Sequence, residues 1–247
     1  MITYKVYTDI GNREVNEDSV GMLEIDGRFC FVLADGLGGH GKGECASAMA
    51  VETVLSLFDK NYNGDFLDTA FKNSQDNVLD AQKTDYELSD MKTTLVTLVI
   101  DDGKAIWGHI GDSRLYHFNK NKIISHTLDH SVPQMLVMSG EIKEKDIRGH
   151  EDRNRLLRVI GSPWSNHSYE LSKETDLKKC QAFLMCSDGF WELIEEKTMI
   201  SLLKKSSSVE EWMDEMVAEV KKNGIDTNMD NNSDMHRKEQ AVHHPAM

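Results

Sequence analysis

The stretch Phe31–Glu44, FVLADGLGGHGKGE, ends an apolar run at Asp35 and passes into a glycine-rich loop carrying His40 and Lys42. From Gly36 to Lys42 the letters fit G-x-x-x-x-G-K, most of a nucleotide-binding P-loop. The Ser or Thr that follows the lysine in that motif and meets Mg²⁺ is Gly43 here, so the match fails at its chemical end. A P-loop also opens a crossover helix in a parallel sheet. The fold therefore turns on whether the chain around this loop alternates strand with helix or groups its strands.

It groups them. VGMLEIDGRFCFVLAD, residues 20–35, holds two β-like runs joined at Asp26-Gly27, a favoured hairpin turn. Two helices are predicted next. One runs over about 42–58 with Ala46, Met49, Ala50, Val54, Leu55 and Leu57 at helical spacing, the other over about 65–82 with Phe66, Ala70, Phe71, Val78 and Leu79 on one side. Residues 93–127 read as a β-meander with turns at Asp102-Gly103 and 119–121. Residues 131–139 read as a helix, and 141–158, charged and poor in apolar anchors, as a mobile surface flap or short helix. A strand, QAFLMCSD, and helices over about 197–205 and 209–222 close the pattern. Clustered strands with hairpin connections and paired helices predict an α+β fold with antiparallel sheets.

At 247 residues with 39% hydrophobic and 28% charged content, the chain has the length and composition of one soluble globular domain. The apolar runs are far shorter than the ~18 residues of a membrane span, and the N-terminus carries no secretory signal pattern, so a cytoplasmic location and no membrane partner are expected. With 28 basic and 42 acidic residues the formal charge is −14, which opposes non-specific binding to nucleic acid or anionic lipid but not the binding of cations. Cys30, Cys45, Cys180 and Cys186 form no C-x-x-C pair and mostly lie in apolar runs, reading as reduced, packed thiols.

Four Asp-Gly pairs occur. Those at 26–27 and 102–103 join β-like runs, whereas Asp35-Gly36 and Asp188-Gly189 each end an apolar run and place a carboxylate at a sheet rim. Asp112 in GHIGDSR, Asp18 in NREVNEDS and Asp230 in NMDNNS add three more acids. Singly, each reads as a turn or cap residue. Together they suggest a site for Mg²⁺ or Mn²⁺, which prefer oxygen donors; without cations such a cluster repels itself.

The ordered set GNREVNEDS, FVLADGLGGHGKGE, TTLVTLVI, WGHIGDSRLYHF, TLDHS and FLMCSDGFWELI, spanning about 11–233, resembles the bacterial branch of the protein phosphatase 2C (PPM) family of metal-dependent serine/threonine phosphatases. The resemblance implies a four-layer α-β-β-α sandwich, two antiparallel sheets flanked by helix pairs. It implies hydrolysis of phosphoserine and phosphothreonine by water activated between two Mn²⁺ or Mg²⁺ ions. Asp35 resembles the carboxylate bridging them, Gly36 a carbonyl ligand, Asp188 and Asp230 ligands of the second ion. Asp18 resembles an acid acting through water, and Asp112 a ligand of a third ion. Arg13 resembles the arginine that grips phosphate, which suits its planar fork of donors. His40 is placed to protonate the leaving alkoxide or only to bind water or a side chain. Phosphorylated proteins, and with them a cognate serine/threonine kinase or its targets, are the implied partners.

His126 and His130, four apart, lack a third ligand or an H-E-x-x-H pattern and read as structural or surface residues. Lys42 reads as a solvated helix-start residue, Phe190 and Trp191 as core. Two alternatives stay open: a catalytically impaired regulatory domain of the same fold, and a P-loop nucleotide binder. The first is prompted by the C-terminus. The family's last Asp-Asn pair is followed by an apolar strand, but here DMHRKEQAVHHPAM shows no β-like run. The expectation is a catalytic domain over 1–233 and an atypical polar tail over 234–247, open between disorder and an altered C-terminus.

Overall fold

The computed structural model describes residues 2–11, 13–37, 42–164, 168–177, 181–230 and 239–246, with backbone alone for 225–230 and 239–246. In chain order the first strands are β1 (Lys5–Asp9), β2 (Asp18–Ile25) and β3 (Arg28–Leu37), then helices α1 (Gly43–Asn61) and α2 (Phe66–Thr84). The meander is β4 (Lys92–Thr93), β5 (Leu95–Asp101), β6 (Lys104–Ile110), β7 (Arg114–Asn119) and β8 (Lys122–His126), followed by α3 (Val132–Ser139). Last come β9 (Glu170–Leu171), β10 (Thr175–Asp176), β11 (Gln181–Cys186), α4 (Asp188–Trp191), α5 (Glu196–Lys205), α6 (Val209–Asp230) and β12 (Glu239–Ala246). Every strand pairing among the described residues is antiparallel. The parallel crossover that a P-loop requires is thus missing from the described sheets, and the nucleotide-binding alternative is set aside.

The predicted hairpins form through their turn chemistry. Asp26 and Gly27 take φ of 53° and 77°, and Asp102 and Gly103 take 44° and 72°, the left-handed pair that matches strand twist in a two-residue loop. Lys120 and Asn121, with φ of 48° and 60°, turn β7 into β8.

The chain forms two compact units. The first comprises 17–113 and 128–176. Its sheet runs in the order β10-β6-β5-β3-β2, with β4 added to β3 and β9 to β6. Cys30, Val32 and Ala34, alternating along β3, join Ala46, Ala50, Val54 and Phe58 of α1 and Phe66, Ala70, Phe71 and Val78 of α2 in one buried cluster. The two periodicities, 2 on the strand and about 3.6 on the helices, point these side chains at one another. Residues 141–158 carry only a short 3₁₀ turn at Glu144–Asp146; Ile147 is buried and Leu156 bridges to Ser131.

The second unit comprises 1–16, 114–127 and 177–247. Its five-stranded sheet runs β1-β12-β11-β7-β8. Trp212 of α6 packs its edge against Phe118 at 5.2 Å between ring centroids and donates its indole N–H to Met199 O of α5 at 3.0 Å. Cys30, Cys45 and Cys186 are free thiols; Cys180 lies outside the described residues.

Two expectations are corrected. Helix α6 continues through Asp230, which the sequence placed beyond the last helix. The tail supplies a strand: β12 pairs on one side with β1 (Val6↔Val242) and on the other with β11 (Met185↔Val242). Its residues are poor strand formers, but backbone ladders on both sides outweigh intrinsic preference, as happens in central strands. Deleting 239–247 exposes two edges in the middle of a sheet. We expect such a variant to lose several kcal/mol, a large share of total stability, in urea denaturation, and the full chain to show slow amide exchange over 239–246.

Candidate active site

In the first unit the site grows from the β2–β3 pair. Asp18 opens β2 and stands directly opposite Asp35 of β3 in register. Both are buried, at 7% and 5% exposure. Side chains opposed in this way lie about 5 Å apart at Cβ. Gly36 follows, and its N–H donates to Glu17 O at 3.0 Å. A Cβ on Gly36 would overlap the carbonyls of Gly43 and Glu17; only glycine lets the ends of β3, β2 and α1 converge here.

Threonines fix the backbone of Asp35. Its N–H donates to Thr94 Oγ1 at 2.9 Å, and its carbonyl accepts from Thr94 N–H at 2.9 Å and from Thr93 Oγ1 at 3.0 Å. Thr94 Oγ1 also bonds Ser113 Oγ at 2.8 Å, tying Asp35 to the turn that carries Asp112, itself 5% exposed. That turn is held again from His130, whose N–H donates to Gly111 O at 2.9 Å and whose Nδ1 accepts from Gly111 N–H at 3.2 Å. The structure thus brings Asp18, Asp35, Gly36 and Asp112 into one hydrogen-bonded neighbourhood. Thr93, Thr94 and Ser113 were missed as participants; the paired threonines of TTLVTLVI were the available signal.

In the second unit Asp188 is half-buried at the first position of α4, and its Oδ1 accepts from Gly189 N–H at 2.6 Å. Trp191, three residues on, is capped by the Arg114 guanidinium at 3.5 Å from the ring centroid. Arg114, only 2% exposed, donates to Tyr116 Oη at 3.0 Å, and Tyr116 donates to Glu196 Oε1 at 3.0 Å. Burial pushes the Tyr116 hydroxyl upward, so it remains a donor. Arg13 follows β1, half-buried, with its N–H on Ile10 O at 3.3 Å. Phe190 and Trp191 are core residues, as the sequence indicated. Lys42 is exposed and left-handed (φ 57°) at the N-cap of α1. His40 and the side chain of Asp230 lie outside the described residues.

His109, His130 and Glu170 place potential ligand atoms within 4.8 Å of one another. His130 Nδ1 accepts an N–H, and its Nε2 lies 3.5 Å from Glu170 Oε1 without a hydrogen bond to it. The ring stacks on His109 at 4.7 Å, and burial pushes both imidazoles down, His130 to about 3. Asp18, Asp35 and Asp112 are buried carboxylates that offer oxygen donors, the kind a hard cation takes.

In the first unit, buried acids at the end of an antiparallel strand pair, with glycine admitting backbone beside them, make an oxygen-rich site suited to a hard cation. Comparison carries this further. Residues 7–232 match protein phosphatase 2C. The serine/threonine phosphatase stp of Listeria monocytogenes is 30% identical over 237 residues, 90% of this chain and 91% of that protein. Stp1 of Staphylococcus aureus superposes with a TM-score of 0.88 over 100% of this chain and 96% of its own, at 24% identity. A PstP catalytic domain solved with two manganese ions gives 0.80 at 25% identity, over 99% of this chain and 97% of its own. The chain belongs to the protein phosphatase 2C family, and it is a metal-dependent serine/threonine phosphatase of bacterial type. No helix among the described residues is long and apolar enough to cross a membrane.

Two outcomes follow from this geometry. Arg114→Met strips the ring and two oxygens of a buried charge, so the urea midpoint should fall by the equivalent of about 2–4 kcal/mol, with Arg114→Lys recovering little of it. His130 is held neutral in the fold but takes up a proton near 6.5 when unfolded. Its contribution is therefore complete above pH 6.5 and is lost as pH falls from there toward 3. Between pH 7.5 and 5.5 wild type should lose about 1 kcal/mol more than His130→Gln in paired urea titrations.

Proposed function

We propose that this phosphatase hydrolyses phosphoserine and phosphothreonine with a pair of Mn²⁺ or Mg²⁺ ions. The observation that carries the reading is the in-register opposition of Asp18 and Asp35, both buried, beside Gly36. Two such carboxylates are a liability without a cation and an asset with one. Asp35 and the Gly36 carbonyl are assigned to the ions directly, Asp188 and Asp230 to the second ion, Asp18 to a contact through water, and Asp112 to a third, weaker ion. When bound, the ions lower the pKa of the attacking water and screen charge at phosphorus.

The chain's own groups do the rest. Arg13 grips the phosphoryl oxygens through its fork of donors and orients phosphorus for in-line attack. His40 is assigned the proton delivered to the departing serine or threonine oxygen. Thr93, Thr94 and Ser113 hold the Asp35 and Asp112 turns in position. The substrates are phosphorylated proteins in the cytoplasm, the products of a cognate serine/threonine kinase. The impaired-regulator alternative rested on a missing last strand, and β12 removes that ground.

A phosphothreonine peptide should be hydrolysed with Mn²⁺ and not in EDTA, and Asp35→Asn should lower kcat about 1,000-fold, some 4 kcal/mol of barrier. Turnover that survives both treatments overturns the assignment.

A further inference from the structure

Strand β2 is the outer strand of its sheet, with no further strand beside it among the described residues. Between it and α1 runs an open groove of about 680 Å³. Its floor is apolar, formed by Leu23 of β2 and by Val51 and Leu55 of α1, with Val20 also on its lining, and its rim carries Glu52 and Asp59. Both carboxylates are exposed, and neither forms a salt bridge with a described residue. A second groove, sharing Glu52 and Ser56, continues across α1 to Asp80.

Three features restrict what fits. An unpaired strand edge offers main-chain donors and acceptors to another extended chain. An apolar floor takes aliphatic side chains from every second residue of such a chain. A carboxylate rim, on a protein of formal charge −14, selects Lys and Arg and rejects acidic segments. The groove's lining also begins at Ser19, next to Asp18 at the end of β2 proposed for the metal site. From Asp18 to Leu23 is five strand residues, roughly 17 Å.

We propose that this groove docks the substrate itself. A basic, aliphatic segment about five residues from the phosphorylated side chain adds to the free edge of β2, with its cations on Glu52 and Asp59. The inference rests on the phosphatase reading for its placement of the phosphate and adds a determinant of which phosphoproteins are chosen.

The test uses the whole 247-residue chain with Mn²⁺ and phosphothreonine peptides carrying Lys-Val-Arg-Val-Lys five residues from the phosphate, on either side. Matched peptides replace the Lys and Arg with Glu. The ratio of kcat/KM for basic over acidic peptide should be about tenfold or more, expressed in KM, and the double variant Glu52→Lys/Asp59→Lys should bring it close to one. A control with the same charge change on α6, Asp214→Lys/Glu215→Lys, should retain the preference. A ratio unaltered by the groove variant, or abolished equally by the control, overturns the proposal. Anisotropy with the unphosphorylated basic peptide separates the two readings. Binding lost only in the groove variant, with no peptide hydrolysed, would uphold the groove and sink the phosphatase assignment; hydrolysis without any peptide preference sinks the groove alone.

Discussion

Two buried carboxylates facing each other across an antiparallel pair are the constraint around which the first unit is organised. Asp18 and Asp35 occupy directly opposed positions at the end of the β2–β3 hairpin. Like charges so placed destabilise a sheet, and burial deepens the cost because little water remains to screen them. The hairpin's strong turn at Asp26-Gly27 and the apolar run of β3 hold the register regardless. A slip of one residue would turn every core side chain of β3 to the opposite face. The register that buries Cys30, Val32 and Ala34 against the helices is therefore the one that opposes the acids.

Neutral groups fix the backbone beside those acids. Asp35 is fixed through its backbone, by Thr93 and Thr94, and the Asp112 turn by Ser113 and His130. Hydroxyl and amide bonds position the chain there. The second unit handles charge the opposite way. Arg114 is buried, and an indole face, a phenol and the Glu196 carboxylate surround it. A planar, weakly hydrated guanidinium tolerates that setting where an ammonium would not. Its contact with Trp191 braces the short helix that begins at Asp188, too short to be stable on its own propensity.

Sequence made the local features legible. Asp-Gly turns, the helical spacing of α1 and α2, and acids at the ends of apolar runs each carry their signal within a few residues. Strand β12 carried none: its order comes from β1 and β11, more than fifty residues away in the chain, and a polar, histidine-bearing tail gives no hint of two waiting ladders. The bond from Thr94 to Ser113 was hidden for the same reason, since only the β5–β6 hairpin brings those hydroxyls together. His130 read as bland from its spacing to His126; its actual partners, Gly111 and His109, lie about twenty residues upstream.

The glycine loop after β3 imitates a phosphate cradle in letters and opposes one in charge. A cradle needs backbone N–H groups turned toward the anion. Here the N–H of Asp35 is taken by Thr94 and that of Gly36 by Glu17, so the start of the loop has no such donors to offer. Gly43, where the P-loop would carry a hydroxyl, instead gives α1 the clearance to close on Gly36. The glycines serve close backbone approach in both designs. In this chain the approach gathers oxygen atoms, which suit cations rather than anions. The same sign runs along the neighbouring groove, where Glu52 and Asp59 face solvent. An acidic protein can therefore act on phosphoproteins without repelling them, provided that the metal site meets the phosphate and the carboxylate rim meets basic residues beside it.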